Sequence, residues 1–487
     1  MKVTPFSPLF ILYYFATVLA SFKAGRKSKA MAMYPTQTLK EKISLFMAVL
    51  MPILVTQIGL FSMNFVDTLM SGRAGAEDLA GVAIGSSIWL PVMTGVTGVM
   101  MALTPIVAQH IGAGRKEEVA YDVTQGLYLS VAASVLILLL GFMLLDPVLG
   151  LMALDLPVEA TARHYLIGLG FGVFFLFASL VLRSFVDALG ETRVTMMIIL
   201  SALPINVFFN YVLIFGRFGF PELGGVGAGY ASAITYGFIF LISIIFTTKM
   251  NRLAAFPIFR TWFVPSFRKV KEILFIGLPI GFTIFFETSI FAAVTLLMSE
   301  FSTEVIAAHQ AALNFASILY MLPLSIAMAL TIAVGFEVGA KRLNDAKQYT
   351  RFGLWVALGL GLFACIVIYL MREPASYWYT TEDEVAVLIQ HFLIYSIFFQ
   401  LSDAIASPIQ GVLRGYKDVN VPFIIAFISF WIIGLPAGFL LANVTFLGPF
   451  GYWVGLISAL ATMALFLYFR LFYIQRREKE RIESIDL

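Results

Sequence analysis

Charge is scarce in this sequence. Only 13% of its 487 residues are Asp, Glu, Lys or Arg, against about 25% in soluble domains. Hydrophobic residues make up 60% of the chain, so too few polar groups remain to cover a soluble protein of this length. That excludes a soluble enzyme and a nucleic-acid binder. Cysteine is nearly absent: the single Cys365 lies in an apolar run and can form no internal disulfide, which excludes a disulfide-stapled secreted domain. The net charge of +3 is too small to imply an acidic partner. No Gly-Lys-Ser/Thr phosphate loop, His-Glu-x-x-His, Cys-x-x-Cys or Gly-x-Ser-x-Gly occurs, which leaves ATPase, metalloprotease and serine hydrolase readings without support. The glycine clusters, such as 168–172 and 224–229, read instead as packing surfaces or loop turns.

What remains are apolar runs of membrane-spanning length, bounded by charges or Gly/Pro clusters. They fall at 44–70, 79–108, 123–145, 162–186, 194–216, 226–248, 272–298, 305–336, 352–371, 385–412, 420–443 and 449–473. Only helices satisfy their own backbone hydrogen bonds span by span in lipid, so the pattern predicts twelve transmembrane helices. A shorter run, Leu9 to Phe22, is too short to span and has its basic residues after it, unlike a signal peptide. It is read as an over-extended start, with Met31 or Met33 the first residue, in preference to an interfacial helix. With both termini on one side, that side collects 27 of the 32 Lys and Arg and the other side four, with Lys2 uncounted. The bias predicts cytoplasmic termini.

The chain also repeats itself. Met51-Pro52 recurs as Leu278-Pro279, Gly112-Ala113-Gly114-Arg115 as Gly339-Ala340-Lys341-Arg342, and Gly126-Leu127 as Gly353-Leu354, each 227 residues on. Six spans separate the copies. An even number gives both halves the same orientation and relates them by an axis along the membrane normal. The expected fold is therefore an all-α membrane protein with twelve transmembrane helices in two six-helix lobes related by a pseudo-two-fold. Its segments are a cytoplasmic stretch 1–42, an N-lobe 43–248, a basic linker 249–271, a C-lobe 272–474 and a tail 475–487. Two like-oriented bundles can rock about a central cavity and give alternating access.

Carboxylates inside a bilayer cost about 2.5–3.5 kcal/mol and mark functional sites by default. Three stand out: Asp67, Glu287 and Asp403. Polar neighbours share their helix faces: Gln57 and Asn64 with Asp67, Thr283 with Glu287, and Gln400 and Ser407 with Asp403. Clustered oxygen ligands suit Na⁺, whereas a carboxyl that takes up a proton suits H⁺ carriage. The competing reading is a carboxylate satisfied by helix–helix hydrogen bonds. In the fifth span Asn206 and Asn210 are four apart and either donate carbonyl oxygens to a cation or simply bond between helices. His309 and Gln310 sit near the acidic end of the eighth span, where a packed, hydrogen-bonded His is favoured over a proton relay.

Several passages, taken in order, resemble the MATE (multidrug and toxic compound extrusion) transporters, in their NorM-like branch, over about 40–475. They are Phe65-Val-Asp-Thr-Leu-Met-Ser-Gly72, Pro221-Glu-Leu-Gly-Gly-Val-Gly-Ala-Gly229, Gly277-Leu-Pro-Ile-Gly281 with Phe285-Phe-Glu287, Ala308-His-Gln310, and Ser402-Asp-Ala404 with Gly411-Val-Leu-Arg-Gly-Tyr-Lys-Asp418. The resemblance implies a V-shaped pair of lobes and export of amphipathic, often cationic drugs in exchange for Na⁺ or H⁺; for this chain we favour Na⁺. It implies a C-lobe cation site at Glu287 and Asp403 and an N-lobe site at Asp67, Asn206 and Asn210. Other branches carry a second aspartate where this chain has Asn210, which leaves one formal charge there. No cofactor, nucleic acid or enzymatic activity is expected. The expected partners are cationic drugs or toxins, the coupling ion and membrane lipids, with the chain a monomer in the plasma (inner) membrane. The rivals are a lipid-linked precursor flippase of the same superfamily and a membrane-embedded enzyme. The first calls for a cationic cavity and the second for a nucleophile or metal constellation.

Overall fold

The structure is a computed structural model that describes residues 35–152, 154–261 and 263–484. The Leu9 to Phe22 run and the Met31 and Met33 candidates lie outside the described residues. Among those described there is helix and no strand. The helices are α1 (Leu39–Ala74), α2 (Ala76–Met101), α3 (Leu103–Gly112), α4 (Lys116–Leu151), α5 (Leu156–Gly170), α6 (Val173–Ala188), α7 (Thr192–Ile214) and α8 (Gly225–Lys249). They continue with α9 (Phe267–Leu297), α10 (Thr303–Gly339), α11 (Leu343–Tyr379), α12 (Asp383–Gly415), α13 (Asn420–Phe427), α14 (Leu435–Val444) and α15 (Phe450–Glu483).

Eleven helices or helix pairs among the described residues are long and apolar enough to cross a membrane; the bent pair α5 and α6 makes twelve. Most outrun the apolar stretches that predict them, because polar residues at either end continue the helical pattern. The fourth predicted span, 162–186, is two helices meeting at 50° after a glycine-rich stretch. In the eleventh, α13 and α14 are joined by a π-helical turn, Ile428–Gly434, directly before Pro436. Proline lacks the N–H that would continue the α-pattern, and a wider turn absorbs the mismatch.

The exterior is apolar. On α4, Val135, Leu136, Leu139, Phe142 and Met143 all stand exposed, Phe142 by 90%. Such a stripe needs lipid against it.

The chain divides into two compact units. The first comprises Met51–Val107 and Lys116–Leu274, and the second Thr36–Leu50, Ala108–Arg115 and the chain from Phe275. Within the first unit the 249–271 stretch is fastened down. Gln125 donates to the Val264 carbonyl at 3.0 Å and accepts from the Ser266 N–H at 2.8 Å, Tyr128 donates to the Phe263 carbonyl at 2.8 Å, and Lys269 pairs with buried Asp122 at 3.0 Å. Within the second unit, Lys42 pairs with Asp345 at 3.1 Å, and buried Glu337 accepts from Arg342 at 2.6 Å. The two copies of the repeated Gly-Ala motif meet here. A Cβ on Gly112 would overlap the Phe336 carbonyl oxygen, and one on Gly339 would overlap the Gln109 carbonyl oxygen. Only glycine permits backbone to approach backbone this closely.

Candidate functional site

In the first unit, α1, α7 and α8 converge on Asp67. Asn206 and Asn210, one turn apart on α7, both donate Nδ2–H to Asp67 Oδ1, at 3.0 and 2.6 Å. Ser232 on α8 donates to Oδ2 at 3.0 Å. All three donors are neutral. Both asparagines are fully buried, and their carbonyl oxygens have no hydrogen-bond partner. A buried acceptor without a donor costs roughly 1–3 kcal/mol, so two of them beside one carboxylate leave an excess of hard oxygen. An asparagine amide carries two donors at one end and an acceptor at the other. Rotation of either side chain would exchange a donor to Asp67 for an oxygen facing the same place.

The neighbours predicted along α1 go elsewhere. Gln57 is buried and accepts from Arg183 at 3.3 Å, while Asn64 is exposed. Arg183 also pairs with Asp187 at 3.4 Å, and Asp187 accepts from Thr195 at 2.6 Å. Helical spacing correctly puts Gln57, Asn64 and Asp67 near one face, but it does not say which part of that face meets other helices.

In the second unit, α9, α10 and α12 bring Glu287 within electrostatic range of both Asp403 and Arg414, with Tyr320 in range of all three. Glu287 Oε1 accepts from Gln410 Nε2 at 2.5 Å, and Gln410 Oε1 accepts from Arg414 Nη2 at 3.0 Å. Asp403 is buried; its Oδ1 accepts from Ser407 at 2.6 Å, and its Oδ2 has no partner. Gln400, fully buried, donates to the Leu319 carbonyl at 3.0 Å and leaves its own oxygen unpartnered. Pro323 explains that bond. It has no N–H to return to Leu319 four residues earlier, and Gln400 satisfies the freed carbonyl. Thr283 bonds within its own helix, to the Pro279 carbonyl at 2.7 Å, instead of reaching Glu287.

His309 is fully buried. Trp453 donates its indole N–H to His309 Nδ1 at 3.0 Å, and Nε2 lies 3.1 Å from Thr295 Oγ1. Indole nitrogen can only donate, so Nδ1 carries no proton and the ring is neutral with Nε2–H toward Thr295. Gln310 is exposed and shares Thr295 at 3.3 Å. This is a packed, saturated histidine.

Sequence reasoning passes over Ser232, Gln410 and Arg414. Ser232 lies among small residues, with Thr235 three positions on but no carboxylate on its own helix. Gln410 and Arg414 do carry a signal: with Asp403 and Ser407 they stand at i, i+4, i+7 and i+11, one face of α12.

Buried carboxylates paired with neutral amides and spare oxygens, inside helices of membrane-crossing length, describe a polytopic membrane transporter. The sequence profile of the MatE family matches residues 52–212 and 279–440, two copies that begin 227 residues apart. The chain is 62% identical to a probable multidrug resistance protein NorM of Halalkalibacterium halodurans over 445 residues, 91% of this chain and 97% of that protein. It is 54% identical to its Bacillus subtilis counterpart over 449 residues, 92% and 99% of the two chains. The chain therefore belongs to the MatE family of transporters, in its NorM-like branch, and is not an enzyme. Its fold is similar to that of the eukaryotic MATE transporter AtDTX14 (TM-score 0.81, 19% identity, 91% of this chain and 99% of that one). It is also similar to the Vibrio cholerae MATE transporter VcmN in its bent form (TM-score 0.78, 20% identity, 90% and 98%).

Proposed function

We propose that this protein is a multidrug efflux antiporter that exports amphipathic organic cations in exchange for Na⁺, or for H⁺, by alternating access. It works as a monomer in the plasma (inner) membrane, with both termini on the cytoplasmic side. The coupling ion binds at Asp67, Asn206 and Asn210 in the N-lobe and at Glu287 and Asp403 in the C-lobe. The observation that carries this reading is the surplus of buried oxygen: Asn206 Oδ1, Asn210 Oδ1, Asp403 Oδ2 and Gln400 Oε1 have no donors. In the first unit two spare amide oxygens stand beside Asp67, and in the second the unpaired Asp403 oxygen shares a helix with the unpaired Gln400 oxygen; each is an environment that a small hard cation would complete. The names of the relatives at 62% and 54% identity supply the drug-efflux half of the reading.

Ion and drug compete for sites whose carboxylates cannot neutralise both. Each biases the two lobes differently, so ion entering from outside helps to expel drug. The test is ethidium efflux in a pump-deficient host, with Na⁺ and pH varied separately. Glu287→Gln and Asp403→Asn are expected to abolish ion-driven efflux while the protein still inserts. Normal export by both variants would sink the C-lobe assignment.

A further inference from the structure

Most buried or half-buried charges in this protein have an opposite charge directly against them. Lys269 has Asp122 at 3.0 Å, Arg252 has Glu191 at 2.9 Å and Arg342 has Glu337 at 2.6 Å. Arg414 differs. It is 7% exposed, and no carboxylate among the described residues lies within ion-pair distance of it. The nearest carboxylate in sequence, Asp418 in the turn just beyond the end of α12, is occupied: Arg470 grips it with two bonds, at 2.7 and 2.9 Å. Arg414 instead faces Gln410, and through it Glu287.

The direction of this relay is fixed by chemistry. A guanidinium only donates, so Gln410 must turn its oxygen to Arg414 and its NH₂ to Glu287. Gln410 itself is 4% exposed. A small cavity lined by Thr283, Gln410, Arg414 and Asp418 opens beside the relay. An isolated buried arginine is costly and is not kept for stability.

We infer that Arg414 is a built-in counter-cation for Glu287, a positioning residue that keeps the coupling ion loosely held and so able to leave. With no ion present, the guanidinium offsets the Glu287 charge through Gln410. With a cation bound, two positive charges share one carboxylate and repel, which speeds release. The inference rests on the reading that Glu287 binds the coupling ion.

The test uses the full chain in proteoliposomes. Ethidium efflux is titrated with Na⁺ at fixed pH and with pH at fixed Na⁺, and binding of radiolabelled Na⁺ to the purified protein is measured alongside. R414Q and R414M are expected to lower the half-saturating ion concentration by at least about tenfold, because a unit positive charge one amide away from the carboxylate is removed. Maximal rate should fall with it, because release slows. R414K, which keeps the charge, should restore the ion dependence toward wild type. An unchanged half-saturating concentration in R414Q and R414M overturns the inference. So does failure of both neutral variants to reach the membrane while R414K does, since the charge would then serve folding. E287Q run in parallel separates the two claims. If E287Q keeps ion-driven efflux, the Glu287 reading fails. If E287Q is dead and R414Q has wild-type ion dependence, only the counter-cation role fails.

Discussion

The two units hold their carboxylates by different means. Asp67 is surrounded by three neutral donors drawn from two other helices, with spare amide oxygens beside it. Glu287 has one amide donor, backed by a buried guanidinium, and Asp403 has a single hydroxyl from its own helix. Duplication supplied both halves with the same scaffold, yet the chemistry at the two sites has diverged. A carboxylate solvated only by dipoles presents its full charge to a cation, whereas one shadowed by an internal cation presents less. On the proposed function, the first site is the tighter holder and the second the readier releaser.

The most severe way to break that comparison is Asp67→Asn. It removes the only formal charge of the first site and is expected to cut ion-driven efflux by about a hundredfold, the scale of losing a charge-assisted site worth roughly 2–3 kcal/mol. Wild-type efflux from this variant, measured in the same assay as E287Q, would mean that the second site alone couples. Asn210→Asp sharpens the contrast from the other direction. It gives the first site a second carboxylate, and the half-saturating Na⁺ concentration should fall about tenfold while turnover slows. An unchanged Na⁺ titration would place Asn210 outside the ion's reach. Ser232→Ala has the smallest expected effect. Loss of one neutral hydrogen bond of about 1 kcal/mol should change ion affinity by a few-fold, read by radiolabelled Na⁺ binding. A hundredfold change would show that the hydroxyl does more than solvate Asp67.

Much of this was legible in the sequence, for identifiable reasons. Apolar length and charge clustering report helices that cross lipid, and the 227-residue offset reports duplication, because both are properties of the chain in order. Asn206 and Asn210 stood out because two amides one turn apart in an apolar helix must meet polar partners, although spacing alone left open whether those partners are an ion or another helix. Long-range geometry was less accessible. Nothing near Ser232 marks it, since its partner lies 165 residues away. Arg414 falls just past the apolar run 385–412, where the positive-inside rule expects basic residues, although the face it shares with Asp403, Ser407 and Gln410 is visible in the spacing. Asn64 and Gln310 show the limit of spacing from the other side. Each has a polar neighbour at helical spacing, but each is exposed. The bend between α5 and α6 was hidden because a broken span and a straight one have the same hydropathy.

The crossing of Gly112 and Gly339 has a consequence for origin. Gly112 lies against Phe336 and Gly339 against Gln109, and the 227-residue offset turns each pair into the other. A contact that maps onto itself when its two members are exchanged is the isologous contact of a two-fold homodimer. A half-length ancestor with one glycine at this position would have carried both sides of the crossing at once.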